Sequence, residues 1–264
     1  DGTEFVFPIM GPLFSDLWLH DLTGNATRLT FAGNNARPVW TPDGQSVGFL
    51  STRERIQREI WQKRGDGSGP ASLMLRSDRQ IDELAYSHDG QWLIYRLGSG
   101  ASRDLYAIRP GIDTVGTELL VTEYEERSAS LSPDDRWMVY ISNESGRDEV
   151  FVSPFPDVTT SKWQVSTEGG TEPLWSRDGR ELFYRNANDD MIAAEVSLGE
   201  TFSIVSKQVL FSALPYRADA NHTNYDVHPD GRFLMKRNVG STGGELIWVE
   251  HWFEELKEQL GGNR

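Results

Sequence analysis

Glu172-Pro173-Leu174-Trp175-Ser176-Arg177-Asp178-Gly179 and Pro38-Val39-Trp40-Thr41-Pro42-Asp43-Gly44 share a proline, an aliphatic residue, a tryptophan and a closing Asp-Gly pair. The closing tripeptide recurs as His88-Asp89-Gly90, Pro133-Asp134-Asp135 and Pro229-Asp230-Gly231, and the chain opens on Asp1-Gly2. With the aspartate as anchor, the copies stand at Asp1, Asp43, Asp89, Asp134, Asp178 and Asp230, spaced by 42, 46, 45, 44 and 52 residues. Four-stranded propeller blades repeat every 40–45 residues or so. Aspartate bonds its own backbone two residues on, and glycine takes a positive φ without a Cβ clash. Aspartate tolerates that region too, so Asp135 is an acceptable stand-in.

Aligned on the anchor, the copies form columns. Six residues after it stand Phe7, Phe49, Tyr95, Tyr140 and Tyr184, with Lys236 as the exception. Three before it stand Trp40, Tyr86, Leu131, Trp175 and Val227. An acid–aliphatic–aromatic triplet follows as Asp16-Leu17-Trp18, Glu59-Ile60-Trp61, Asp104-Leu105-Tyr106 and Glu149-Val150-Phe151. Short fourth runs lie at Thr27 to Phe31, Ser72 to Leu75, Glu118 to Thr122, Trp163 to Ser166 and Gln208 to Phe211. Each repeat therefore reads strand a, Asp-Gly turn, strand b, strand c, strand d. The chain is all-β, a six-bladed β-propeller over residues 1–252, incomplete or part of a seven-bladed one. The aromatic columns are core packing between blades, so Trp175→Ala is expected to cost about 3–5 kcal/mol. The first copy lacks strand a and the last lacks strand d. This suggests a processed or truncated product, or an edge completed by a partner. Phe253 to Leu260 has helical spacing, giving a short C-terminal helix and tail over 253–264.

Composition narrows the partners. The formal charge of −14 argues against nucleic acid. With no cysteine there is no disulfide, thiolate metal site or cysteine nucleophile. No apolar run reaches the roughly 18 residues of a membrane span, so the chain itself inserts in no membrane.

The tryptophan-bearing runs quoted at the outset resemble the repeat of TolB-like β-propellers over essentially the whole chain. Ser142-Asn143-Glu144-Ser145-Gly146-Arg147, Val152-Ser153-Pro154-Phe155-Pro156, Lys162-Trp163-Gln164-Val165-Ser166-Thr167 and Trp252-Phe253-Glu254-Glu255-Leu256-Lys257 are similar to the extracytoplasmic propeller attached to many bacterial serine/threonine protein kinases. The resemblance implies a TolB-like fold, a bacterial source and a binding role in the periplasm or at the cell surface. It carries no catalytic residue onto this chain, which lacks a Gly-rich phosphate loop and a His-Arg-Asp catalytic loop.

Catalytic motifs are sparse. Gly65-Asp66-Gly67-Ser68-Gly69 places its serine one position late for a nucleophile elbow and reads as a turn. The histidines His20, His88, His222, His228 and His251 form no i, i+4 pair, and no metal or cofactor is assigned. Asn186-Ala187-Asn188-Asp189-Asp190 reads as a polar turn rather than a calcium loop. The acids Asp16, Glu59, Asp104 and Glu149 recur once per blade, which is structural repetition rather than acid–base chemistry.

The variable positions are the starts of strands a. Six before the anchor stand Arg37, Glu83, Ser128, Glu172 and Asn224; one place earlier stand Asp82 and Arg127. In a propeller these converge on one rim of a central channel. Arg37, Glu83, Arg127, Ser128, Glu172 and Asn224 are thus the candidate binding residues. The stretch Leu210 to Asn224, with Tyr216, Arg217 and His222, lengthens the last spacing and reads as an inserted rim loop. The favoured function is a non-enzymatic module binding a protein or peptide, or a small ligand in the channel. The alternatives are a structural subunit of a larger assembly and a lyase or hydrolase with a channel active site. Glu172→Arg or Arg37→Glu is expected to weaken binding with little effect on folding.

Overall fold

The computed structural model describes residues 2–98, 103–228, 230–239 and 243–249. The expected C-terminal helix and the opening Asp1 lie outside them. All regular structure among the described residues is strand, in six antiparallel sheets, and no helix there is long and apolar enough to cross a membrane.

The strands fall into two compact units, Asp1–Glu125 and Glu126–Arg264. The first unit holds three sheets. They comprise β1 (Glu4–Met10), β2 (Ser15–Asp21) and β3 (Ala26–Arg28); β4 (Asn35–Trp40), β5 (Ser46–Ser51), β6 (Glu59–Arg64) and β7 (Ser72–Leu75); and β8 (Ile81–Tyr86), β9 (Leu93–Leu97), β10 (Asp104–Ile108) and β11 (Thr117–Leu120). The second unit holds β12 (Glu126–Leu131), β13 (Trp137–Ser142), β14 (Glu149–Pro154) and β15 (Trp163–Gln164); β16 (Gly170–Trp175), β17 (Glu181–Asn186), β18 (Asp190–Leu198) and β19 (Phe202–Ser212); and β20 (Tyr225–Val227), β21 (Phe233–Val239) and β22 (Gly243–Val249). Among the described residues the first sheet has no strand a and the last no strand d, in line with the sequence pattern.

Each anchor is a tight turn between strands a and b. Gly44, Gly90, Gly179 and Gly231 have φ of 66°, 72°, 71° and 88°, and Asp135 takes the same region at 56°. A hydroxyl two residues before the anchor locks the turn. Thr41, Ser87 and Ser132 each donate to the anchor carboxylate at 2.6 Å, and Ser176 does so at 2.8 Å. That carboxylate also accepts the amide two residues on, at 3.0 Å from Gln45 and 2.9 Å from Gln91. The hydroxyl and amide donors hold the Asp43 and Asp89 carboxyls below the ordinary range.

The aromatic columns are core. Phe49, Tyr95, Tyr140 and Tyr184 are buried, as is Trp175. Neighbouring sheets share these cores: Leu50 and Ile60 pack with Ile81, Leu84 and Tyr95, and Trp137 and Val150 pack with Trp175, Leu182 and Tyr184. Strands β5 and β13 are buried along their whole length because both of their faces are covered.

The acid column is structural, as its repetition suggests. Glu149 accepts from Ser166 Oγ and from the Gly169 amide at 2.9 Å, tying strand c to the loop beyond strand d. Asp16 does the same with Thr30 at 3.1 Å. Glu59 takes Arg76 at 2.5 Å, and Asp104 takes Arg79 at 2.5 Å. Gly170 lies so close to Ser166 that an added Cβ would sit 2.3 Å from its Oγ, so no larger residue fits there.

Candidate functional site

The variable positions sit on β-bulges. In β4, β12 and β16 the pairing register slips between Ala36 and Val39, Arg127 and Ser130, and Thr171 and Leu174. At each slip the residue six before the anchor has a left-handed backbone: Arg37 at φ 51°, Ser128 at 54° and Glu172 at 54°. Such a conformation costs a non-glycine residue roughly 1–2 kcal/mol. A bulge re-aims side chains, and bulges concentrate beside binding sites. In β8 the slip falls between Ile81 and Glu83.

In the first unit these positions form a charge cluster. Arg96, buried on β9, brings its Nε to 3.2 Å from Glu83 Oε2 and donates through Nη1 to the Gly98 carbonyl at 3.3 Å. Arg37 reaches the other oxygen of Glu83 at 3.5 Å. Arg58 pairs with Asp82 at 2.7 Å. Glu83 thus lies between two guanidinium groups.

The second unit repeats the pair and adds a loop. Glu172 is fully buried, and its Oε2 lies 2.9 Å from Nε of Arg185 on β17. The alignment is that of an ion pair, without a directed hydrogen bond. Glu172 Oε1 accepts the backbone amides of Asp219 at 3.2 Å and Asn224 at 3.0 Å. Arg185 Nη1 donates to the carbonyls of Ala213 at 3.2 Å and Tyr216 at 3.3 Å, and lies 3.2 Å from Asp189. Its Nη2 has no hydrogen-bond partner among the described residues. Arg127, buried on β12, donates through Nε to the Ala220 carbonyl at 2.6 Å and pairs with Asp148. Lys236 donates to the Asn224 side chain at 2.7 Å. Three buried charges therefore hold the main chain of residues 213–224, not its side chains. Leu214 of that loop is 71% exposed.

Burial sets the electrostatics. It pushes the Glu172 carboxyl up to about 7, against the opposing pull of Arg185 and the two amides. Burial and the nearby Arg217 push the Lys236 ammonium below its usual range. Burial also pushes Tyr225, whose hydroxyl donates to the Glu172 carbonyl at 2.9 Å, well above the ordinary phenol range.

The candidate residues are more buried than a solvated rim implies. Glu83, Arg127, Ser128 and Glu172 are buried, while Arg37 and Asn224 are half-buried. Charge reversal at Glu172 is therefore not silent for folding, as the sequence reading supposed, because it sets two cations together in the interior. The rim loop starts later than expected, since Leu210 to Ser212 still belong to β19. Tyr216 stacks edge-on against Phe211 at 6.3 Å, Arg217 is exposed, and His222 stands 3.2 Å from Asp219. The polar turn at Asn186 is a turn, its Oδ1 accepting the Asn188 and Asp190 amides at 2.9 Å each.

The sequence reading missed Arg96 and Arg185. Both stand seven residues after an anchor, where the other copies carry Pro8, Leu50, Ile141 and Arg237. Arginine recurring in a column that also holds the buried Leu50 and Ile141 was the available signal. Lys236, the break in the aromatic column, was a second, and its role is to hold Asn224.

Four four-stranded and two three-stranded antiparallel sheets with this turn chemistry make a β-propeller fold, and it is similar to that of TolB. TolB from Acinetobacter baumannii superposes with a TM-score of 0.70 at 14% identity, over 94% of this chain and 61% of that one. The chain thus spans less than two thirds of that protein's length. A protein assigned as TolB from Agrobacterium tumefaciens gives 0.60 at 17% identity over 93% and 90% of the two chains. An oligogalacturonate lyase in complex with manganese gives 0.62 at 13% over 92% and 69%. No family model and no curated protein matches the chain.

Proposed function

We propose that this protein is a non-enzymatic binding module that takes an extended polypeptide segment at the bulged starts of its first strands. The carrying observation is the set formed by Arg127, Glu172 and Arg185. Guanidinium groups offer donors to carbonyls and a carboxylate offers acceptors to amides, the complement of a peptide main chain. The left-handed bulges at Ser128 and Glu172 fix the Arg127 and Glu172 side chains before any ligand arrives, which lowers the ordering cost of binding. Likeness to TolB supports a binding role, and the resemblance to kinase-attached propellers supports a bacterial, extracytoplasmic setting. A lyase or hydrolase is the second reading, favoured by the lyase among the fold neighbours.

Selection of displayed random peptides on the immobilised chain tests the proposal. The expected outcome is enriched peptides whose affinity falls at least tenfold on Arg127→Met. Failure to enrich any peptide, together with turnover of a uronate or ester panel, would favour the enzyme.

A further inference from the structure

The loop spanning 213–224 already satisfies the site. Five main-chain contacts are made to it by three buried side chains: Ala213, Tyr216 and Ala220 through their carbonyls, Asp219 and Asn224 through their amides. The contacts are indifferent to loop side chains, apart from the Asn224–Lys236 hydrogen bond and Thr223, which donates to the Pro173 carbonyl at 2.9 Å. Ala213 is buried, Tyr216 packs on the same core and the Arg217 amide donates to the Lys236 carbonyl at 2.8 Å, whereas Leu214, Pro215, Arg217, Ala218 and Ala220 are exposed, so beyond Arg217 little apolar burial anchors the segment. A segment held by polar main-chain contacts and little apolar area belongs to the low-stability end of a fold, where local opening is cheap. Meanwhile Arg185 Nη2, on a side chain 3% exposed, keeps a donor that the loop leaves without a partner.

From this we infer that loop 213–224 is a ligand in cis: it occupies the polypeptide site of the second unit and is displaced by an extended segment supplied in trans. The inference rests on the polypeptide-binding reading and adds its regulation. Occupancy by the loop lowers the apparent affinity for a partner by the fraction of molecules with the loop docked. Displacement releases the loop's exposed face and lets the incoming segment use the additional arginine donor.

The test uses the loop's own sequence as probe: a fluorescein-labelled synthetic peptide Ala-Leu-Pro-Tyr-Arg-Ala-Asp-Ala-Asn-His-Thr-Asn, residues 213–224. In the double variant Asp219→Pro, Asn224→Pro the two amide donors to Glu172 are gone while the loop remains. A second variant replaces residues 214–223 by a Gly-Ser linker of the same length, should the first not melt cooperatively. The expected result is that the folded variant binds the peptide at least tenfold more tightly than the parent chain. Adding Arg127→Met should remove at least tenfold of that affinity. A folded variant that binds no better than the parent, or binding indifferent to Arg127→Met, overturns the inference. If display-selected peptides bind parent and variant equally, cis occupancy fails while the polypeptide-binding reading stands. If no peptide binds either chain, both fail.

Discussion

Glu83–Arg96 in the first unit and Glu172–Arg185 in the second are the same pair on the same two strands, six before and seven after an anchor. They are satisfied differently. Glu83 lies between Arg96 and Arg37, a second cation from the neighbouring sheet. Glu172 faces a single guanidinium, and its other oxygen accepts two loop amides. One carboxylate is matched by charge and the other by the main chain. Repetition supplied the scaffold in both cases, and the neighbour decided whether the pair became a closed ion cluster or a polypeptide cradle.

The largest expected effect comes from removing the arginine. Arg185→Leu strips Glu172 of its cation and the loop of two carbonyl hydrogen bonds, and should cost about 3–5 kcal/mol in urea unfolding at pH 8, where the parent Glu172 is ionised. Arg96→Leu should cost clearly less, because Arg37 remains beside Glu83. Equal losses would break the comparison.

The pH dependence is next. The Glu172 carboxyl keeps its proton up to about 7 when folded, against 4.5 as the ordinary value, so the folded state binds more protons between those limits. Its contribution is therefore greatest below about pH 4.5, falls as pH rises, and is level above 7, a change of roughly 3 kcal/mol. The charged and ionisable groups that face it are Arg185, Asp219, Tyr225 and Lys236. In Glu172→Gln the decline across that window should vanish, measured by melts from pH 4 to 8. A decline of equal size in the variant would assign it to another group.

Arg37→Glu is the mildest. Arg37 is half-buried and reaches Glu83 only at 3.5 Å, and Glu83 keeps Arg96, so the change should cost about 1 kcal/mol and shrink in high salt. A loss as large as that of Arg185→Leu would mean the first unit depends on Arg37 as the second does on Arg185.

Much of the fold was legible because turns and core columns obey local rules. Asp-Gly demands a positive φ wherever it falls, and Trp175 or Tyr184 must find apolar neighbours. The bulges were not legible: no residue type at Arg37, Ser128 or Glu172 announces a left-handed backbone, since tertiary packing imposes it. Nor could sequence show that Glu172 would meet the amides of Asp219 and Asn224, whose separation along the chain carries no period. Arg185 could have been found, since its column sets Arg96, Arg185 and Arg237 beside the buried Leu50 and Ile141. Lys236 likewise interrupts an aromatic column for a reason that lies in the loop.

The most direct test is amide hydrogen exchange at Asp219 and Asn224, read by NMR in the parent chain and in Glu172→Ala. Both amides should be protected in the parent and should exchange at least tenfold faster in the variant, while the β17 amides stay protected. Exchange at the rate of a free peptide in the parent would contradict the claim that a buried carboxylate holds this loop by its main chain.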